Sequence, residues 1–272
     1  MLVKTSEAHL YFDKLKEKCE RKNSLLCVGL DPRINEGLTG KEAKTAIINA
    51  NKALIESTAA YTAIYKPNSA FYEAYGAYGF EALEETLTLI PDDIDVLLDS
   101  KRGDIGATAE AYAKSVFGHF NVDAVTLAPY MGIDGVTPFL EYGDKGIFML
   151  CYTSNPGSAV FQEVKDAEGV PLYHRVAEES LSWNPNIGLV VAGNKYKALR
   201  DVRKISDKAW FLSPGIGAQG GQMDEAIQAG LNSEGYGIIP VVVRAIAHAD
   251  NPGKAAKEYV EQLNRARERV LG

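Results

Sequence analysis

The stretch IDVLLDSKRGDIGAT, residues 94–108, passes from an apolar run straight into a cluster of charge, with Asp99, Lys101 and Asp104 delivered together at its end. The run is continuous rather than alternating. That is how strands read when both faces are covered, as in parallel sheets flanked by helices. Seven further segments repeat the pattern: LLCVGL (25–30), TAIYK (62–66), DAVTLA (123–128), GIFMLC (146–151), IGLVVA (187–192), AWFLS (209–213) and IIPVVV (238–243). Each leads into a polar or glycine-containing turn and then into a stretch with helical spacing.

The helical stretches carry their own signals. Thr39 with Glu42 reads as a capping box ahead of Ala43, Ile47, Ala50 and Leu54, which recur at helical spacing. Asn251 and Pro252 read as the cap and first residue of a last helix carrying Tyr259, Leu263 and Val270. Eight strand–helix alternations predict an α/β fold, a (β/α)8 TIM barrel formed by residues 1–272 as a single domain, with a short helix before the first strand. A doubly wound open sheet is the structural alternative. The longest connection, residues 154–175, carries Gly, Pro and mixed charge and is expected to be a mobile loop after the fifth strand.

Composition narrows the function classes. With 272 residues, 46% of them hydrophobic and 24% charged, the chain can bury a sizeable core. No window approaches the roughly 18 consecutive apolar residues of a membrane helix, and the charged N-terminal stretch lacks a secretory apolar segment, so a cytoplasmic protein without membrane partners is expected. Cys19, Cys27 and Cys151 are odd in number and far apart, which suggests neither a disulfide framework nor a zinc site. The net charge of -7 argues against nucleic-acid binding, and an anionic ligand would need a local basic site.

In a barrel, chemistry gathers beyond the C-terminal ends of the strands. The unusual residues fall there. Asp31 ends the first strand, Lys66 the second, Asp99 and Lys101 the third; Ser154 follows the fifth, Gln219 the seventh and Arg244 the eighth. Two apart on an extended segment, Asp99 and Lys101 are expected to project to one side. Alone, each has a plainer reading: Asp104 as a helix cap, Asp99 with Lys101 as an ion pair closing the barrel end, Lys66 as a snorkelling surface lysine. Structural pairs have no reason to converge on one face. SPGIGAQGG (213–221) brings four glycines after the seventh strand, and Arg244 adds a guanidinium after the eighth, where barrels frequently bind phosphate.

DSKRGD (99–104) matches the Asp-x-Lys-x-x-Asp motif of the orotidine 5'-phosphate decarboxylase family. YKPNSAFYEAYG, TLAPYMGID, TSNPGS and LSPGIGAQGG resemble its longer-chain branch, and the resemblance runs from about residue 25 to 244. It implies conversion of orotidine 5'-monophosphate to uridine 5'-monophosphate in pyrimidine biosynthesis, without metal or organic cofactor. Lys66, Asp99, Lys101 and Asp104 correspond to the family's alternating charged array, with Lys101 protonating the carbon that loses carbon dioxide. By the same resemblance the enzyme is a homodimer with shared sites, Asp104 reaching into the second subunit's site. Asp31 and Thr108 match positions contacting the ribose and neighbouring hydroxyls, Ser154 the pyrimidine, and Gln219 with Arg244 the phosphate. Val243 departs from the pattern, because many relatives have Gly directly before the phosphate-binding Arg.

Three other readings compete. A metal-dependent sugar phosphate decarboxylase shares the motif but places an acidic metal ligand where this chain has Lys66, which would repel the ion. A Schiff-base lyase needs a lysine of depressed pKa, whereas Asp99 and Asp104 favour the charged form. A catalytically silent phosphate-binding barrel would have no use for four mutually costly charges in one mouth.

Overall fold

A computed structural model of the chain describes residues 10–216 and 220–272. Every one of the eight apolar runs is a strand. Among the described residues the first element is helix α1 (Tyr11–Lys22), followed by β1 (Cys27–Leu30), α2 (Gly40–Thr58), β2 (Ile64–Pro67), α3 (Ala70–Glu73), α4 (Gly76–Thr88), β3 (Asp95–Arg102) and α5 (Gly106–Ala113). It proceeds through β4 (Ala124–Leu127), α6 (Thr137–Leu140), β5 (Gly146–Tyr152), α7 (Ala159–Gln162), α8 (Leu172–Trp183) and β6 (Ile187–Val191). The last part holds α9 (Tyr196–Ile205), β7 (Phe211–Pro214), α10 (Gly220–Gly230), β8 (Ile238–Val242), α11 (Arg244–Ala247) and α12 (Pro252–Leu271).

Each strand pairs in parallel with the next, and β8 returns to β1 through Cys27 opposite Val241 and Val28 opposite Val242, closing the barrel. The open-sheet alternative is thereby ruled out. Strands β1, β2, β4, β6 and β8 are buried at every position, which is why they read as continuous apolar runs.

Helix α1 stops the N-terminal end of the barrel. Phe12 stacks on Trp210 at 5.8 Å and meets Phe148 edge-on at 5.5 Å, while the Tyr11 amide donates to Asn186 Oδ1 at 2.8 Å. Gly146 makes room for this, since a Cβ there would lie 2.3 Å from the Tyr11 ring. Lys18 pairs with Asp95, so β3 carries an ion-paired acid at its start as well as Asp99 further along. The three cysteines are free and buried.

One local expectation needs correction. Thr39 occupies the cap position of α2 in extended conformation, yet its side chain makes no capping hydrogen bond. Asn251 does cap α12, accepting from the Lys254 amide at 2.9 Å, with Pro252 in the first turn. The 154–175 connection carries local structure of its own. It contains α7 and an antiparallel bridge from Lys165 to Pro171, and Gln162 Oε1 ties it to the Thr153 amide at 2.9 Å.

Candidate active site

Lys66, at the end of β2, is 5% exposed, so it does not snorkel. Its Nζ lies 2.9 Å from Asp99 Oδ2 and 4.0 Å from Asp31 Oδ1. Burial works against the ammonium, but Asp99 and Asp31 outweigh it and hold the lysine above its ordinary value. For Asp99, burial would raise the carboxyl; Lys66 and Lys101 together overcome that and hold it down at about 2. Asp31 has no such surplus. Burial is the larger influence and pushes its carboxyl up against the pull of Lys66. Its Oδ1 is buried and has no hydrogen-bond partner among the described residues. Next to it, Tyr72 donates to the Leu30 carbonyl at 3.1 Å, and Asn51 of α2 donates to Tyr72 at 2.9 Å, fixing the end of β1 from behind.

Lys101 reaches Asp99 by a route that strand alternation does not describe. Its Nζ is 2.5 Å from Asp99 Oδ1, as the shared side predicts, but Lys101 has φ of 48°, in the left-handed region. The β3–β4 register shifts at the same place: Leu98 pairs with Val125 and Arg102 with Leu127, so two extra residues of β3 bulge between them. A non-glycine residue in that conformation costs about 1–3 kcal/mol and persists only where its surroundings hold it. Thr126 is part of what holds it. Its buried Oγ1 accepts from the amides of both Ser100 and Lys101 at 3.0 Å and donates to Asp99 Oδ1 at 3.0 Å.

The remaining site residues lie around this array. Asp104 is half-buried and its Oδ1 accepts the Ile105 amide at 2.8 Å; it neither caps α5 nor pairs with a lysine of its own chain among the described residues. Thr108 is exposed in the first turn of α5. Ile105, Tyr130, Met131 and Ile133, all exposed apolar residues, are carried by the loops beyond β3 and β4. Ser154 is exposed beside Gly215, whose φ is 82° and where a Cβ would stand 3.2 Å from that of Ser154. Gln219 and the middle of the glycine-rich segment lie outside the described residues. Arg244 begins α11, exposed, and no carboxylate among the described residues pairs with it. Val243 packs over Gly29 of β1: a Cβ at Gly29 would lie 2.6 Å from Val243 Cγ2. The bulk that departs from the family pattern is thus accommodated by the neighbouring strand.

Two sets of residues escape a reading by strand ends. Thr126 sits inside the apolar run DAVTLA, and its signal is a lone hydroxyl among residues destined for burial, which must find partners. Glu73 of α3 pairs with Arg102 at 2.5 Å, and the Arg102 guanidinium lies 5.0 Å from the centre of the Tyr112 ring, bracing the residue after Lys101. Nothing in their spacing announces that contact. Among the described residues, no group of three or more His, Cys, Asp or Glu is disposed to hold a metal ion.

Similarity to known proteins agrees with this geometry. The profile of the family described as "Orotidine 5'-phosphate decarboxylase / HUMPS family" matches residues 24–259. The orotidine 5'-phosphate decarboxylase of Dehalococcoides mccartyi is 42% identical over 271 residues, covering 95% of this chain and 99% of that protein. That of Roseiflexus castenholzii is 43% identical over 265 residues, covering 94% and 96%. Among solved structures, OMP decarboxylase of Leishmania donovani superposes with a TM-score of 0.87 at 44% identity, covering 95% of this chain and 99% of that one.

Proposed function

The chain belongs to the orotidine 5'-phosphate decarboxylase family, and from that premise we propose how its own residues carry out the reaction. It converts orotidine 5'-monophosphate to uridine 5'-monophosphate and carbon dioxide, a step of pyrimidine biosynthesis. The bond from C6 of the pyrimidine to its carboxyl group breaks, and the electron pair stays on C6 in the ring plane, where it cannot delocalise as an enolate would. A positive charge beside C6 is therefore the main requirement.

Lys101 supplies it. Its ammonium stabilises the developing carbanion and then gives up a proton to C6, and solvent reprotonates the amine. The observation that carries this reading is the division of Asp99 between two lysines, Lys66 on Oδ2 and Lys101 on Oδ1, which keeps fixed charge at the barrel mouth before substrate arrives. Two unit charges about 4 Å apart interact by roughly 4 kcal/mol at an effective dielectric of 20. Enzymes supply about 8–23 kcal/mol, so binding of remote parts of the substrate must contribute the rest. In this reading Arg244 and Gln219 take the phosphate, Asp31 the ribose, with its unpartnered oxygen as the acceptor, and Ser154 the pyrimidine. No metal or organic cofactor takes part.

We further propose a homodimer with two composite sites. What supports it is that Asp104 pairs with no lysine among the described residues of its own chain and Thr108 is exposed, while Ile105, Tyr130, Met131 and Ile133 leave exposed apolar surface on the loops beyond β3 and β4. No described helix is long and apolar enough to cross a membrane. A cytoplasmic enzyme is the reading that three buried free thiols support.

The test is the fall in absorbance when orotidine 5'-monophosphate is mixed with the protein after exhaustive chelation, alongside Lys101→Ala. Turnover should survive chelation and drop by orders of magnitude in the folded variant. A loss restored by Mg2+ would move the chain to metal-dependent chemistry, and near-normal turnover in Lys101→Ala would remove Lys101 from its role.

A further inference from the structure

We propose that Thr126, on β4, is a positioning residue for the decarboxylation, holding the reactive end of β3 in its working shape through one hydroxyl. A threonine hydroxyl has one proton to give and two lone pairs to accept with. Here all three are used, and all on β3. The amides of Ser100 and Lys101 each donate to Oγ1 at 3.0 Å, and Oγ1 donates its own proton to Asp99 Oδ1 at 3.0 Å. Because both lone pairs are taken, the hydroxyl proton has a single direction left, and that direction is the carboxylate.

The three bonds act on different parts of one device. Those to Ser100 and Lys101 replace the ladder hydrogen bonds lost where the β3–β4 register shifts, and so hold Lys101 at its left-handed φ of 48°. The bond to Asp99 Oδ1 fixes the oxygen that Lys101 Nζ approaches at 2.5 Å. Backbone and side chain of Lys101 are thus referred to the same buried atom, which belongs to the next strand and is sealed from water, Thr126 being 1% exposed. Lys101 needs that anchoring because nearly half of its own side chain, 47%, is exposed. A fixed ammonium is pre-oriented for the carbanion, whereas a loose one has to be ordered during the reaction. Thr126 thus acts through Asp99 and Lys101, all three bonds of its hydroxyl being made to β3.

The proposal rests on the reading of Lys101 given above, and the experiment separates the two. Turnover and KM for orotidine 5'-monophosphate are measured for the unaltered protein, Lys101→Ala, Thr126→Val and Thr126→Ser, each checked for folding by its unfolding transition. Thr126→Val keeps the shape and loses the hydroxyl. It should lower kcat at least tenfold while KM stays within about threefold, because phosphate binding lies elsewhere and only the transition state gains from a fixed Lys101. Thr126→Ser restores the hydroxyl and should return kcat to within about threefold of the original. Should the valine variant fail to fold, Thr126→Ala removes the same hydroxyl with less bulk at the site and is judged by the same split. A purely structural role would lower the unfolding temperature and leave kcat per folded molecule unchanged, and that result overturns the proposal. So does a folded serine variant as slow as the one without a hydroxyl. Absence of turnover in the unaltered protein, or full turnover in Lys101→Ala, would instead count against the underlying mechanism.

Discussion

Lys66 Nζ and Asp99 Oδ2 lie 2.9 Å apart, and both residues are buried. Breaking such a pair from one side leaves the Lys66 charge in a poorly solvated place with only Asp31, 4.0 Å away, to offset it. Asp99→Ala should therefore destabilise the fold by about 3–5 kcal/mol, whereas adding Lys66→Met to it should recover much of the loss. Urea unfolding of the two variants decides the matter; a single-variant loss under about 1 kcal/mol would mean that Asp31 or water suffices to offset the Lys66 charge.

Acid should dismantle the same contact in a definite window. The folded carboxyl of Asp99 is held down at about 2, below the ordinary value of about 3.9. A depressed acid stabilises the folded state above its unfolded pKa, and that contribution, about 2 kcal/mol here, fades as pH falls from about 4 through 2. Urea midpoints taken between those limits should drop more steeply for the original protein than for Asp99→Asn. Parallel curves would show that the pair does not set the acid response.

Asp31 is under the opposite pressure. Burial raises its carboxyl, so at neutral pH its negative charge costs folding free energy rather than contributing it. Asp31→Asn should raise the unfolding temperature of the ligand-free protein and at the same time raise KM for substrate. Calorimetry paired with steady-state kinetics tests both halves, and a variant that melts lower than the original contradicts the argument.

The composite-site proposal makes a numerical prediction. Inactive Lys101→Ala and inactive Asp104→Ala chains, dissociated and mixed, re-pair at random so that about half the dimers are mixed, and each mixed dimer holds one intact site. About a quarter of all sites should then turn over. Activity stuck at the level of the separate variants, with subunit exchange proven by mass, assigns Asp104 to its own chain.

How far these relationships were legible before the fold was known depends on whether the residues meet along a strand or across strands. The eight strands declared themselves because burial on both faces removes polar alternation, and Lys66, Asp99 and Lys101 because charge directly after such runs is unusual. The bulge at Lys101 was invisible, since period-two reasoning assumes an even ladder, and Thr126 disappeared into an apolar run for the same reason. Thr39 shows the converse, a capping pattern present in the sequence whose side chain makes no bond. The local structure of the 154–175 connection was not legible, because the bonds to Thr153 and across Lys165–Pro171 are contacts that composition does not encode.

The stopper helix at the barrel's N-terminal end also sets a timetable. Tyr11 docks on Asn186, 175 residues later in the chain, and Phe12 waits for Trp210. At about 5–20 residues per second, a ribosome needs roughly 9–35 s to produce that docking site after the helix itself has been made. During that interval Tyr11, Phe12, Leu15 and Cys19 form an apolar stripe that β5 meets first, through Gly146 and Phe148, and that stays incompletely covered until Asn186 and Trp210 follow. Helix α1 is thus made long before its cover is complete, and during synthesis its stripe is a surface on which a chaperone, or another nascent chain, would readily settle.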